Sequence, residues 1–481
     1  MTKNIKSITN PKLSLNILSP EDVNKIHAAT LDTLEHVGVR FPSKRGLEIW
    51  AANGAAVDFE KMIVKIKPQI IEEALKSAPH AYALGARDPQ QNCPMDGNHV
   101  FLGTDGCGVE IMDIQSGQKR TSELKDVGEI ARIADATEEI AFHWVALSAQ
   151  DKPTATRGLH ELKAVWENST KHVQTESVYN ETEARAAIEL AIAVAGSKEE
   201  LRRRPVLSLM QCTAPPLGHD GGSLDAALVA AEYGVPTGFM TMAANLTTGP
   251  ATMAGNLVVG NAEVISATAL IQLAYPGAPV FYAAAQTASD LRNGAYTGGG
   301  PEDFLYGAAT NVLADFYNIP LSMGSFATGA KEPNWQAGLE NSLSTMMACI
   351  VMSDMLLGAG FLHGSRIWSY AEMMLDCEIF SIIHKVMQGI EVNDETLALG
   401  TIANVGPGGN FLSQKHTRQH MRDVFLPQFM DRRPYSEWET KKDDARDWGL
   451  EKARKTLATH QPDPLDAHVS AELSKIIATL E

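Results

Sequence analysis

Between Gly358 and Tyr370 the chain reads GAGFLHGSRIWSY, placing the rings of Phe361, Trp368 and Tyr370, the imidazole of His363 and the guanidinium of Arg366 on one short segment of a protein that is only 6 % aromatic. Ring faces attract quaternary ammonium groups, by about 0.5–2 kcal/mol per ring. An arginine holds a carboxylate through paired hydrogen bonds, worth roughly 1.5–3 kcal/mol. Two or three rings and one arginine together reach the ~4 kcal/mol of millimolar affinity. A small zwitterion with a methylated ammonium and a carboxylate matches that set. The same rings would equally serve to pack the loop on the helix that follows.

Elsewhere the residues able to do chemistry are mostly amides and hydroxyls. The ends of the expected strands offer Thr104 and Asp105, Ser148 and Gln150, Gln174 and Glu176, Gln211, Asn245, Gln286, Thr328 and Lys331, then His363 and Arg366. No HExxH, GxSxG or Walker A pattern occurs, and no histidine pair stands at helical ligand spacing near a strand end, so metal hydrolysis, serine hydrolysis and nucleotide chemistry lack their parts. No metal is expected. His143 lies inside an apolar strand and reads as a core histidine. Lys331 reads as a solvated loop lysine, with a desolvated Schiff-base or acid–base lysine as the alternative. Cys93, Cys107, Cys212, Cys349 and Cys377 form no CxxC and no regular framework, so they read as small buried side chains.

The elements that must position these residues follow a rhythm from about residue 99. Strand candidates at 99–105, 142–150, 172–178, 206–212, 236–243, 279–286, 320–327 and 355–362 start every 30 to 43 residues and alternate with helical patterns. Several are apolar on both faces, as parallel strands covered by helices must be. Helix starts carry their own punctuation, such as Ser19-Pro20-Glu21-Asp22 and Pro301-Glu302-Asp303. Eight such units, with no GxGxxG turn after the first strand, predict an α/β fold of the (β/α)8 TIM-barrel type, whose site lies at the carboxyl ends of the strands. Residues 1–98 are expected to form an N-terminal helical and small-strand extension, 99–395 the barrel, and 396–481 C-terminal loops and helices, both extensions packed on the barrel.

A net charge of -17 argues against nucleic acid and anionic membranes as partners. The start lacks the apolar region of a signal peptide, and the longest apolar stretch is broken by Pro276, Gly277 and Pro279, so a cytoplasmic protein is expected. The apolar helix expected over 371–391 could serve as core or as the interface of a homo-oligomer.

Three long segments, 101–122 (FLGTDGCGVEIMDIQSGQKRTS), 277–303 and 326–362, together with the helix opening SPEDVNKIHAATLDTLEHVGV, resemble the trimethylamine methyltransferase family over essentially the whole chain. The resemblance implies a corrinoid-dependent methyltransferase with a (β/α)8 barrel. Founding members carry pyrrolysine; this chain has standard residues only, and so is similar to the non-pyrrolysine branch, whose best-known substrate is glycine betaine. A quaternary ammonium leaves as a neutral amine, which removes one need for special activation and leaves catalysis to orientation and water exclusion. The expected reaction moves a methyl from glycine betaine to the Co(I) of a cognate corrinoid protein, giving dimethylglycine. Alternatives are carnitine, γ-butyrobetaine or proline betaine, or a barrel that binds a betaine without turning it over. The corrinoid should arrive on that partner, with no tightly bound cofactor here and free cob(I)alamin as a surrogate: the near match to its DxHxxG ligand motif, LGHDGG at 217–222, has Leu217 in place of the aspartate. Strand ends then assign Phe361, Trp368 and Tyr370 as cage rings and Arg366 as carboxylate clamp. His363, Gln174, Glu176 and Gln286 form the polar wall, with Glu176 alternatively the counter-charge to the ammonium. No residue is assigned as catalytic.

Overall fold

Short runs apolar on both faces, long enough to span a barrel wall, become eight parallel strands in the computed structural model, which describes residues 5–9, 15–106, 108–295 and 298–481. Cys107 lies outside the described residues. The strands are β1 (His99–Thr104), β2 (Ile140–Trp144), β3 (His172–Thr175), β4 (Leu207–Cys212), β5 (Thr237–Thr241), β6 (Val280–Ala284), β7 (Leu321–Gly324) and β8 (Met355–Ala359). Each pairs with the next in parallel, and β8 closes on β1 through Met355 opposite Phe101. The predicted barrel is therefore the observed fold. Residues Ile8–Thr9 add a short antiparallel edge to β1.

Helices α1 (Leu124–Ala136), α2 (Arg157–Asn168), α3 (Glu181–Ala195), α4 (Gly221–Tyr233), α5 (Met253–Ala274), α6 (Pro301–Tyr317), α7 (Trp335–Ile350) and α8 (Tyr370–Met387) follow the strands in turn. Alternation explains why the strands read as apolar throughout. One set of side chains, including Phe101, Phe142, Trp144, Met210, Phe281 and Met355, forms a separate cluster inside the barrel, while Leu102, Val173, Leu209 and Leu321 join the larger core under the helices. Among the described residues, α5 alone is long and apolar enough to cross a membrane, and most of it is buried in this fold.

Ser19 caps the helix Pro20–His36 by accepting from the Asp22 amide at 3.2 Å, and the Ser19 amide donates back to the Asp22 carboxylate at 3.1 Å. Its buried side is Val23, Ile26, Leu31 and Leu34, while Val37 caps the far end and is 59 % exposed. This helix and two shorter ones, Lys44–Ala52 and Pro68–Leu75, lie against α5. At the other end of the chain, Ala445–Thr459 packs on α8 and Ala467–Ala478 on α3. The segment between α8 and these helices behaves differently: Phe429 is the only buried residue from 390 to 443.

Candidate active site

A cavity of about 510 Å³ opens at the carboxyl ends of the strands. All eight contribute to its lining, through Asp105, Trp144, Glu176, Cys212, Met240 with Met242, Ala285, Gly324 and Leu357. Its volume falls in the range of small-molecule sites. A larger groove of about 670 Å³ lies where β4, β5 and β6 begin, bordered by Pro205, Gly234 and Pro279. Barrel sites form at the opposite end, so the smaller cavity is the candidate.

The segment 358–370 forms one edge of that cavity. Gly360 breaks β8 with a φ of +99°, after which Phe361 and Leu362 pair antiparallel with Trp368 and Ile367 to make a hairpin. Its four-residue tip, His363, Gly364, Ser365 and Arg366, lines the cavity. The first three of these have φ near +60°, a region costly for the non-glycine members. The tip is fixed by its backbone: the His363 amide donates to the Ala330 carbonyl at 2.8 Å and the Gly364 amide to the Thr328 carbonyl at 2.9 Å. The Ser365 hydroxyl donates to Asp105.

The rings of the hairpin do not line the cavity. Phe361 and Trp368 are fully buried and meet edge-to-face, with centroids 5.2 Å apart. A Cβ at Gly360 would stand 2.5 Å from the Trp368 indole, so the backbone passes directly over that ring. Tyr370 starts α8, and its hydroxyl donates to Glu129 at 3.1 Å. The expected cage is thus corrected to an anchor, because cross-strand pairing turns these rings toward the core while the loop between them faces the cavity.

Gln174 is buried in β3, its Oε1 accepting weakly from Ser208 at 3.4 Å. Gln286 donates to the Asn256 carbonyl at 2.8 Å and borders a separate space of about 30 Å³ beside Asp303. Neither lines the main cavity; His363, Arg366 and Glu176 do. Lys331, on the loop after β7, also reaches it and is exposed. His219 of the LGHDGG segment is buried between Phe41 and Phe239, and Asp220 caps α4, so this segment is part of the barrel wall.

The cavity carries both signs of charge on a largely apolar wall. Burial pushes Asp105 up to about 6, against the opposing hydrogen bonds from Ser365 and the Gly106 amide. Burial lowers His363, helped by the positive charges of Lys331 and Arg366. Burial also pushes the Cys212 thiol up to about 12, so it stays protonated. Trp144 is 1 % exposed with an indole nitrogen lacking a partner among the described residues. A Cβ at Gly106 would lie 2.5 Å from that nitrogen, so glycine is what lets β1's end close over the ring.

Sequence reasoning missed Trp144, Met240, Met242 and Cys212. The second strand was expected to run to 150, which put Ser148 and Gln150 at its end; it stops at Trp144, and Ser148 instead bonds the Gly108 carbonyl at 2.8 Å. An indole closing the run FHW was the available signal.

A closed parallel barrel with a mixed-charge cavity open at its carboxyl face has the architecture of a barrel enzyme. Its sequence relatives narrow this to methyl transfer. The family profile described as trimethylamine methyltransferase (MTTB) matches residues 1–481, and the chain belongs to that family, in its non-pyrrolysine branch. It is 32 % identical to the trimethylamine methyltransferase MttB of Desulfitobacterium hafniense (strain DSM 10664 / DCB-2), over 96 % of this chain and 93 % of that one. It is 31 % identical to a glycine betaine methyltransferase of Desulfitobacterium hafniense (strain Y51), over 96 % of both chains. Among solved structures, the Methanosarcina barkeri monomethylamine methyltransferase (MtmB) shares the fold, with a TM-score of 0.51, 11 % identity, and coverage of 91 % of this chain and 92 % of that one. The protein is a methyltransferase.

Proposed function

We propose that the cavity binds a small quaternary amine bearing a carboxylate, glycine betaine first, and passes one methyl to the Co(I) of a corrinoid carried by a separate protein. The observation that supports this most is the joint presence, in one mainly apolar cavity, of two acids, an indole and a tip of basic groups. A quaternary ammonium donates no hydrogen bond, so it is held by carboxylate charge and ring face. Asp105, Glu176 and Trp144 supply these, with Met240 and Met242 as apolar contacts. Arg366, with Lys331 and His363 beside it, holds the substrate carboxylate. Trp144 thus takes the place first given to the hairpin rings.

In the transfer, the C–N bond breaks and its electron pair stays on nitrogen, giving dimethylglycine. The methyl is taken by a Co(I) nucleophile, which supplies the electron pair of the new bond. The chain's part is to orient the ammonium and exclude water. The cavity holds the amine, and the acceptor meets it at the barrel mouth. A cytoplasmic location belongs to the same proposal, supported by the largely buried position of α5.

The test uses purified protein with cobalamin reduced to Co(I), the visible spectrum being followed as each amine is added. Methylation with glycine betaine is expected, and no methylation with any amine would sink the proposal. Because about 510 Å³ exceeds what glycine betaine fills, carnitine, γ-butyrobetaine and proline betaine belong in the same assay.

A further inference from the structure

The mainly apolar helix α5 carries a carboxylate behind the barrel wall. Glu263 is fully buried, and no positive charge among the described residues opposes the burial that pushes its carboxyl up to about 7. An acid placed there costs stability unless it is well hydrogen-bonded. The barrel wall supplies three donors. Glu263 Oε2 accepts from the Thr213 hydroxyl at 2.6 Å and the Thr241 hydroxyl at 2.9 Å, and Oε1 accepts from the Leu217 amide at 2.8 Å. An ionised carboxylate, with two oxygens and no proton of its own, can serve all three at once. Gly260, one turn earlier, permits the close approach: a Cβ there would stand 2.9 Å from the Thr241 methyl.

These donors sit directly behind the cavity lining. Side chains alternate along a strand, so Thr241 faces α5 while its neighbours Met240 and Met242 line the cavity. Thr213 in turn follows Cys212, the lining residue at the end of β4. Asn256 stands seven residues before Glu263, on the same side of α5, and its Nδ2 donates to the Ala243 carbonyl at 2.8 Å. Met242 is therefore tied to α5 through the residue before it and the residue after it. Leu217, in the loop leaving β4, has a φ of +53°, a conformation costly for leucine, and its amide is held by the same carboxylate. One side chain thus links the ends of β4 and β5 and the loop between β4 and α4.

We infer that Glu263 is a positioning residue that holds the wall of Cys212, Met240 and Met242 in place against the methyl groups of the substrate. The inference rests on the cavity being the amine site proposed above. The full chain tests it at pH 8, above the value of about 7 to which burial raises the carboxyl. Thr241→Val keeps the side-chain shape and removes the donor, whereas Thr241→Ser keeps the donor. In the cobalamin methylation assay, Thr241→Val should raise KM for glycine betaine by up to about tenfold, the fold-change of one lost hydrogen bond. Its kcat should change little, because the wall touches the ammonium both before and during transfer. Thr241→Ser should restore the wild-type KM. Methyl NMR of isotopically labelled methionines reads the wall without any turnover. The Met240 and Met242 signals, assigned with Met240→Leu and Met242→Leu, should move in Thr241→Val and in Glu263→Gln and stay in Thr241→Ser. Met387, at the far end of α8, should not respond. A KM unchanged in Thr241→Val overturns the inference, and so does a Thr241→Ser protein as impaired as Thr241→Val. Met240 and Met242 signals that do not move in Thr241→Val overturn it as well. If the wild-type protein methylates no amine, the proposed function falls, and the methyl spectra alone decide whether Glu263 positions the wall.

Discussion

Arg366 stands exposed at the hairpin tip with its guanidinium on the cavity, a position from which a substrate carboxylate can be held without deep desolvation of the cation. One charged hydrogen-bonding contact is then at stake, so Arg366→Ala should raise the dissociation constant for glycine betaine by roughly tenfold, about 1.4 kcal/mol. Calorimetric titration reads this, and an unchanged constant would remove Arg366 from the site. Asp105 attracts an ammonium only when ionised. With burial placing it at about 6, affinity should hold at pH 7 and fall as the pH drops below 6, by up to about tenfold per unit. The variant Asp105→Asn should bind more weakly and show no such slope. His363, Arg366 and Glu176 were legible in the sequence because each sits within a few residues of a strand end. Trp144 was not, because its place depends on where β2 stops, which the apolar run VALSA beyond it conceals.

At the scale of the element, the hairpin 361–368 is a loop carried on a ring pair. Trp368→Ala should destabilise the protein by about 3–5 kcal/mol through the cavity left in the core, and should lower activity by loosening the tip. Trp368→Phe should keep most of both. Thermal unfolding beside the methylation assay checks this, and full stability in Trp368→Ala would refute the anchor. Gly360→Ala should also destabilise, since alanine at φ +99° is strained and its Cβ meets the indole. The sequence shows this segment as a strand continuing to 362. Its break at Gly360 and the reversal that follows are set by contacts with residues distant in the chain, including the pairing of Ile367 with Glu110 and Trp368 with Ile111.

Across the whole molecule, buried carboxyls give stability a pH dependence. On α8, Asp376 accepts from the Gly360 amide at 2.8 Å and, with Glu372, from the Asn341 side chain, the three packed between α7 and α8. Burial pushes Asp376 up to about 8, and burial with the charge of Asp376 pushes Glu372 up as well. A carboxyl raised on folding holds a proton that the unfolded chain releases, so its contribution is full below the ordinary carboxylate range and is lost as pH rises toward about 8. The melting temperature should therefore decline from pH 5 to pH 9, and less steeply in Asp376→Asn, where the amide oxygen still accepts from Gly360. Equal slopes in the two proteins would show that Asp376 does not carry the effect. By itself the sequence determined the barrel and the number of its strands, because alternation, helix caps and unit spacing are written in residues near one another. The tertiary structure alone decided which side chains share the cavity, since that depends on where each strand ends against its neighbours and on a hairpin folded back from β8 across the mouth.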